Sequence, residues 1–468
     1  MLFNSVFKKS EMGEKSSSHR VHPIDRGIKA WTFLAAASAT NIITYGFSST
    51  FGVFREYYFR HAPFQGSQEV AYVGPVGLGL IQGLSPLLVY FCSKYPTKVT
   101  LLLWSGALLI AASSIGAAFA TTPAQLILTL GVLYGFGGSF IFAPAIVLID
   151  GWFVEKRTLA NGIFFSASSL APAVLSPLFS LTLYRYSPKV TLIGWAVFCA
   201  FLSLISLPFI QSRQHAQEPT ILTESSTPDS DIDKKKSTAY RFWTQPLFYI
   251  VCLTTISQGL AHFLPALYIP TFATDFGASQ RNASLLITYF NIVCIFAQPL
   301  YGHLVDRIGP LYPLLITTIV ASVSILTIWG SAKSYPPLVA VMILFGASSG
   351  AFVVLRSSFA TQIVLRNKAY SKTTSDLEKR KNESLISGIL MSIRGVATIA
   401  SGFVGRALVQ GSEDIPLGSG YGAGKWKSFI FFTGIIMGAA SLGSVGLIRP
   451  ARVPERNLRG PDDEVLSS

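Results

Sequence analysis

One permanently charged side chain interrupts the small and aliphatic run "SGILMSIRGVATIASG", residues 387–402: Arg394. A guanidinium stays protonated and presents a rigid fork of donors, so it can dock an anionic or polar solute, or latch the carbonyls at a helix end. Both roles are open. Arg356, in "VVLRSSF", lies about seven residues from the end of another apolar run, where a long stem reaches the interface. A gate or structural role suits it better than ligand contact. His262, in "ISQGLAHFLPAL", is a group that titrates near neutrality, and either carries a proton between two access states or is a hydrogen-bonded packing or ligand-contact histidine. No Asp or Glu falls inside an apolar run; Asp150 comes nearest, at the end of one.

Further polar groups occur at mid-run: Asn41, Tyr45, Gln82, Tyr134, Gln258, Asn291 and Gln298. Taken singly, each is an interhelical hydrogen bond of about 0.6 kcal/mol. As a convergent set with Arg394 they would line a solute site. Other chemistry finds no constellation. There is no H-E-x-x-H, no carboxylate pair within a run, and no nucleophile beside a base other than the lone His262, so an enzyme is not expected. Cys92, Cys199, Cys252 and Cys294 all lie in apolar runs without C-x-x-C spacing, which predicts neither a metal site nor any cofactor.

The elements that must position these groups are apolar throughout. Of 468 residues half are hydrophobic and only 13% charged, about half the charged share of soluble domains. Runs of roughly 20 apolar residues recur from end to end. They fall near 30–54, 70–92, 99–121, 123–149, 160–182 and 189–210, and again near 246–271, 284–303, 311–332, 336–363, 385–410 and 428–448. Continuous rather than alternating hydrophobicity predicts spanning helices, which satisfy their own backbone hydrogen bonds, instead of barrel strands. The expectation is an all-α polytopic membrane protein of 12 transmembrane helices in two pseudo-symmetric six-helix bundles. The bundles would be 30–210 and 246–448, with tails 1–29 and 449–468 and a polar, Ser/Thr-rich linker 211–245. A central arginine costs roughly 2.5 to 3.5 kcal/mol on insertion scales, so Arg394, about 15 Å deep, must face the bundle interior.

Charge gives the orientation. Lys and Arg number 26 in the tails, linker and alternate loops, against 9 in the other loops. Basic residues stay inside, so both termini are expected in the cytosol. The formal charge of +14 is thereby a topology signal, and nucleic acid is not an expected partner. The first residues carry no apolar core with a cleavage site, which predicts no cleaved signal peptide. A sequon at Asn282 falls on a predicted outer loop, and one at Asn382 falls inside.

"YGHLVDRIG", closing the eighth run, contains G-x-x-x-D-R-x-G as Gly302, Asp306, Arg307 and Gly309. Gly302 permits close helix approach and Gly309 a tight turn. Asp306 can accept from helix N-terminal amides or pair with a base, clasping two bundles in one state. The equivalent loop of the first half, "YFCSKYPTK", keeps only Lys94 and Lys98. This motif resembles the loop signature of the major facilitator superfamily. Residues 131–179 resemble the fourth-to-fifth helix region of monocarboxylate-transporter-like proteins, particularly the fungal ones, through Trp152, Phe153, Lys156, Arg157, Leu159, Ala160 and Gly162, with Gly135, Gly137 and Gly138 upstream. The first helix is similar through Trp31, Tyr45, Gly46, Phe47, Phe51, Gly52, Val53 and Phe54, and the preceding segment keeps Asp25 and Gly27 of a partial signature.

The resemblance implies a carrier of a small organic solute, a monocarboxylate or other organic anion, working by alternating access. Lys156, Arg157, Arg356 and the Gly302–Gly309 motif would form its conformational gate. The expected setting is a monomer in the plasma membrane or, alternatively, the vacuolar one, with protons as an optional co-substrate. Animal lactate carriers of the family use a first-helix lysine and an eighth-helix Asp/Arg pair. Here Cys294 and Gln298 hold the latter positions and residues 32–54 lack lysine, so that machinery does not carry over. A non-transporting nutrient sensor on the same scaffold and a metabolite efflux carrier are the competing readings.

Overall fold

The structure is a computed structural model, and it describes residues 27–67, 69–153, 156–210, 241–366, 376–410 and 420–448. The expected tails and most of the linker lie outside the described residues. Twelve long helical stretches follow in order: α1 Ile28–Arg60, α2 Glu69–Lys94, α3 Pro96–Ala117, α4 Pro123–Trp152, α5 Arg157–Arg185, α6 Pro188–Phe209, α7 Pro246–Asp275, α8 Gln280–Ile308, α9 Leu311–Trp329, α10 Tyr335–Leu365, α11 Asp376–Gln410 and α12 Lys427–Leu447. Eleven of them have the length and hydropathy to cross a bilayer; α1, diluted by Ser, Thr and Asn, falls below that hydropathy yet is buried along most of its 33 residues.

Local chemistry sets the boundaries. Thr122 and Gln125 form a capping box at the start of α4, and Ser187 and Ser279 accept from Val190 N and Asn282 N at the starts of α6 and α8. Proline occupies the first turn of α3, α4, α6 and α7, where its missing N–H has no partner to lose. Gly309 ends α8 at φ 79°, a conformation that only glycine adopts freely.

Aromatic side chains knit each half. Phe47, Phe54, Phe179 and Tyr134 join α1, α5 and α4 in one cluster, while Trp329, Trp426, Phe272 and Phe429 do the same for α9, α12 and α7. Leu101, Leu108, Phe201, Leu253, Phe296 and Val396 remain exposed on the outer surface, an apolar belt suited to lipid. The halves meet where α5 packs along α8 and α2 along α11. Small residues allow both approaches. A Cβ on Gly162 would lie 2.7 Å from Gln298 O and one on Gly302 2.6 Å from Thr158 O, so α5 and α8 touch backbone to backbone.

At the other seam a Cβ on Gly395 would lie 2.5 Å from Gly79 O and 2.7 Å from Gly83 N. Gly395→Val must therefore push α11 off α2. Overpacking of this kind costs about 1 to 3 kcal/mol. A fall in unfolding temperature of the detergent-solubilised variant is the expected reading, and an unchanged one would mean that the seam is looser than the backbone distances require.

Candidate functional site

The C-terminal ends of α4 and α8 and the N-terminal ends of α5 and α11 meet at one end of the molecule, here termed the basic end. Between the bundles a cavity of about 1190 Å³, counting its solvent-filled mouth, runs from mid-depth toward the opposite end. Its floor holds Tyr45, Gln82, Gln298, Val353 and Arg394; its mouth holds Arg55, Ala71 and Ile287. Arg55, Arg394 and His262 line the wall, and no carboxylate does among the described residues.

Arg394 is only 5% exposed. Its guanidinium lies 5.8 Å from the centre of the Phe263 ring, and its Nε is buried without a hydrogen-bond partner. A desolvated cation so placed attracts an anion strongly, because the field is little screened. Around it Phe51, Phe165, Phe263 and Phe290 give the wall an apolar face, while Gln82 Oε1 and Ser48 Oγ are buried polar atoms with no partner in the protein. Arg55, set over the Tyr268 ring at 5.9 Å, adds a second positive group at the mouth.

The polar groups expected to converge divide in two. Tyr45, Gln82, Asn291, Gln298, His262 and Arg394 border the cavity. Asn41, Tyr134 and Gln258 do not, and each is engaged in a helix contact: Asn41 Nδ2 donates to Phe164 O at 2.8 Å, the Tyr134 hydroxyl to Ile43 O at 2.5 Å, and Gln258 Nε2 to Ser349 O at 3.3 Å. The last contact has a cause that the amino-acid order alone hides. Helix α10 tightens into a 3₁₀ turn at Ser349–Ala351, freeing carbonyls from the ladder. Gln258 takes Ser349 O, Gln298 takes Gly350 O at 3.2 Å, and His262 Nδ1 meets Ser349 Oγ at 2.9 Å. These three residues hold the break; Gln298 and His262 face the cavity as well.

The basic end is shut by contacts between bundles. Asp306 accepts from the amides of Thr158 and Leu159, at 3.3 and 2.9 Å, at the N-terminus of α5, where the helix dipole favours a carboxylate. Arg157 pairs with both oxygens of Asp150, each at 2.6 Å, and reaches Glu383 of α11 at 2.5 Å. Gln298 Nε2 also donates to Ser169 Oγ at 3.3 Å across the α5–α8 seam. Arg356, 6% exposed, donates to the Ser387 hydroxyl. Lys156 precedes α5 and is exposed, as is Arg307 at the end of α8. At the far end the Arg406 guanidinium donates to the Tyr72 hydroxyl at 2.5 Å and Tyr72 stacks on Phe403, so α2 and α11 stay together there too.

Two bundles of six helices around a polar cavity that is closed at one end define a membrane transporter. The sequence matches the Major Facilitator Superfamily over residues 80–268 and 251–466, and the chain belongs to that family. Among relatives, "Probable transporter MCH2" of Saccharomyces cerevisiae is 26% identical over 342 residues, 71% of this chain and 69% of that one. "Monocarboxylate transporter 3" of Rattus norvegicus is 27% identical over 348 residues, 72% of this chain and 68% of that one. "Agnestins efflux protein AgnL12" of Paecilomyces divaricatus is 25% identical over 424 residues, covering 90% of this chain and 87% of its own. The solved nucleoside transporter NupG shares the fold, with a TM-score of 0.60 at 16% identity over 90% of this chain and 99% of that one.

Two groups escaped the sequence reading. The apolar run ends near residue 54 and leaves Arg55 beyond it, yet α1 continues to Arg60 and brings Arg55 to the mouth. Glu383 precedes the eleventh run, yet α11 begins at Asp376 and presents it to Arg157. The signal available for both was helical continuity through a charged segment.

Proposed function

We propose that the protein carries a small organic anion, a monocarboxylate with an apolar carbon body, across the membrane by alternating access. One observation carries this reading: the cavity wall bears Arg394 and Arg55 and no carboxylate among the described residues. The four phenyl rings suit the carbon body, and the orphaned Gln82 and Ser48 oxygens suit a hydroxyl or ammonium substituent. With the basic end in the cytosol, the conformer described faces outward. Asp306, Arg307, Gly302 and Gly309, with Lys156, Arg157 and Arg356, then form the latch of that state. The carrier works as a monomer in the plasma membrane, both termini inside. The name of the Paecilomyces relative favours a second reading of direction, export of a metabolite anion rather than uptake.

His262 is the imidazole in the cavity wall, held at Nδ1 by Ser349 Oγ, and proton coupling is assigned to it on that position. Reconstituted protein should move one or more of labelled benzoate, phenylpyruvate, lactate and pyruvate saturably, and should not move uridine. Flux of uridine with none of the four acids would reject the anionic reading. An inward pH gradient is expected to drive accumulation that His262→Ala abolishes; accumulation that survives this substitution removes the histidine from the coupling.

A further inference from the structure

Arg356 sits five residues beyond the break in α10 and borders two small voids. One is shared with Arg394, Thr255 and Leu390; the other, toward the basic end, is shared with Asp150, Ser384 and Gly388. Arg394 in turn borders both the first void and the central cavity. The two guanidiniums thus stand in succession between the solute cavity and the basic end. Each has a buried Nε with no hydrogen-bond partner.

The partner of Arg356 is a neutral hydroxyl, Ser387. The carboxylate whose charge reaches it, Asp150, is already held through both oxygens by Arg157. A buried cation whose direct partner is only a neutral hydroxyl is unfavourable, and helix packing alone would be served as well by an apolar or amide side chain. An anion that visits only in another conformer accounts for the charge. The contacts that now seal this route are those between bundles: Asp306 on the α5 amides, Arg157 on Glu383, and Gln298 on Ser169. All three separate if the basic end opens.

We propose that Arg356 is a second anion station: once the basic end opens, a carboxylate leaving Arg394 is held on the Arg356 fork before it exits past Ser384 and Gly388. This rests on the anionic reading of the cavity. Its particular content is an asymmetry between the two faces of the membrane.

The test is phenylpyruvate flux in proteoliposomes, with KM measured separately from each face. R356Q is expected to raise KM at the basic face tenfold or more and to change it less than twofold at the other. R356K, which keeps the charge and loses the fork, is expected to raise it two- to fivefold at the basic face alone. S387A removes the hydroxyl that Arg356 holds, and should leave KM at both faces unchanged. Equal effects of R356Q on both faces, or an S387A variant that reproduces R356Q, would leave Arg356 its latch role alone and overturn the proposal. Should R356Q fail to fold, R356K decides, and an unaltered KM at the basic face overturns it. Phenylpyruvate KM unmoved by R356Q at either face but raised by R394Q at both sinks the station and spares the anionic cavity. Absence of wild-type flux for phenylpyruvate and for each of the other labelled acids sinks both, and if another of them moves instead, the same KM comparison is read with that acid.

Discussion

Replacing Arg394 by glutamine is expected to raise the KM for a carried carboxylate by about thirtyfold or more while leaving the protein at least as stable to unfolding. Removing one member of a buried, hydrogen-bonded charge pair costs about 2 to 5 kcal/mol of binding, and each 1.4 kcal/mol is tenfold. The pair exists only when solute is bound. The guanidinium is 5% exposed, has an unpartnered Nε and touches no acid among the described residues, so glutamine relieves desolvation rather than breaking a bridge. The combination of signs is the useful part: a structural latch would lose stability when removed. Parallel measurement of labelled-acid uptake and unfolding temperature separates the two, and unchanged uptake with lowered stability would return Arg394 to a packing role.

Arg157→Ala has the largest expected effect on stability. Its guanidinium is nearly enclosed, with side-chain exposures of 12% for Arg157, 9% for Asp150 and 13% for Glu383. Deleting it leaves the Asp150 and Glu383 carboxylates buried without the partner that bridges them, a loss of about 3 to 5 kcal/mol in such settings. Because Glu383 belongs to α11 and Asp150 to α4, the same change unties the bundles at the basic end. A cysteine placed at Met391, now fully buried, should then react severalfold faster with a thiol reagent applied from that end. Glu383→Gln should give the faster labelling with a smaller loss of stability, since Arg157 retains Asp150. Labelling that does not respond to either variant would show that Arg157 holds α4 and α5 together without holding the end shut.

Much of this architecture was legible in the order of residues, and the reasons are physical. A spanning helix must be apolar over its whole length, so the runs declared themselves. The loop motif that holds Asp306 and Arg307 announced a carboxylate near a helix start, and the Thr158 and Leu159 amides are where it lands. The Arg394 argument also needed no coordinates, because lipid excludes a bare guanidinium. Facing was another matter. Asn41 and Tyr45 are four residues apart on α1, yet one bonds the backbone of α5 and the other borders the cavity. Hydropathy assigns depth along a helix and says little about its azimuth. The break in α10 was hidden for a related reason: "GASSGA" is as apolar and small as any tight seam, and only the glutamines seated on Ser349 O and Gly350 O reveal it.

The carboxylate-free wall also fixes where the membrane potential acts. On the proposed reading, a bound monoanion makes the Arg394 site neutral, and its reorientation moves no net charge through the field. Empty, the same site carries one positive charge that changes electrical side when the carrier flips, worth up to about 2.3 kcal/mol per 100 mV. A negative interior therefore pulls the vacant protein toward the cytosol-facing form and retards its return, so voltage brakes the reset of an importer and hastens that of an exporter.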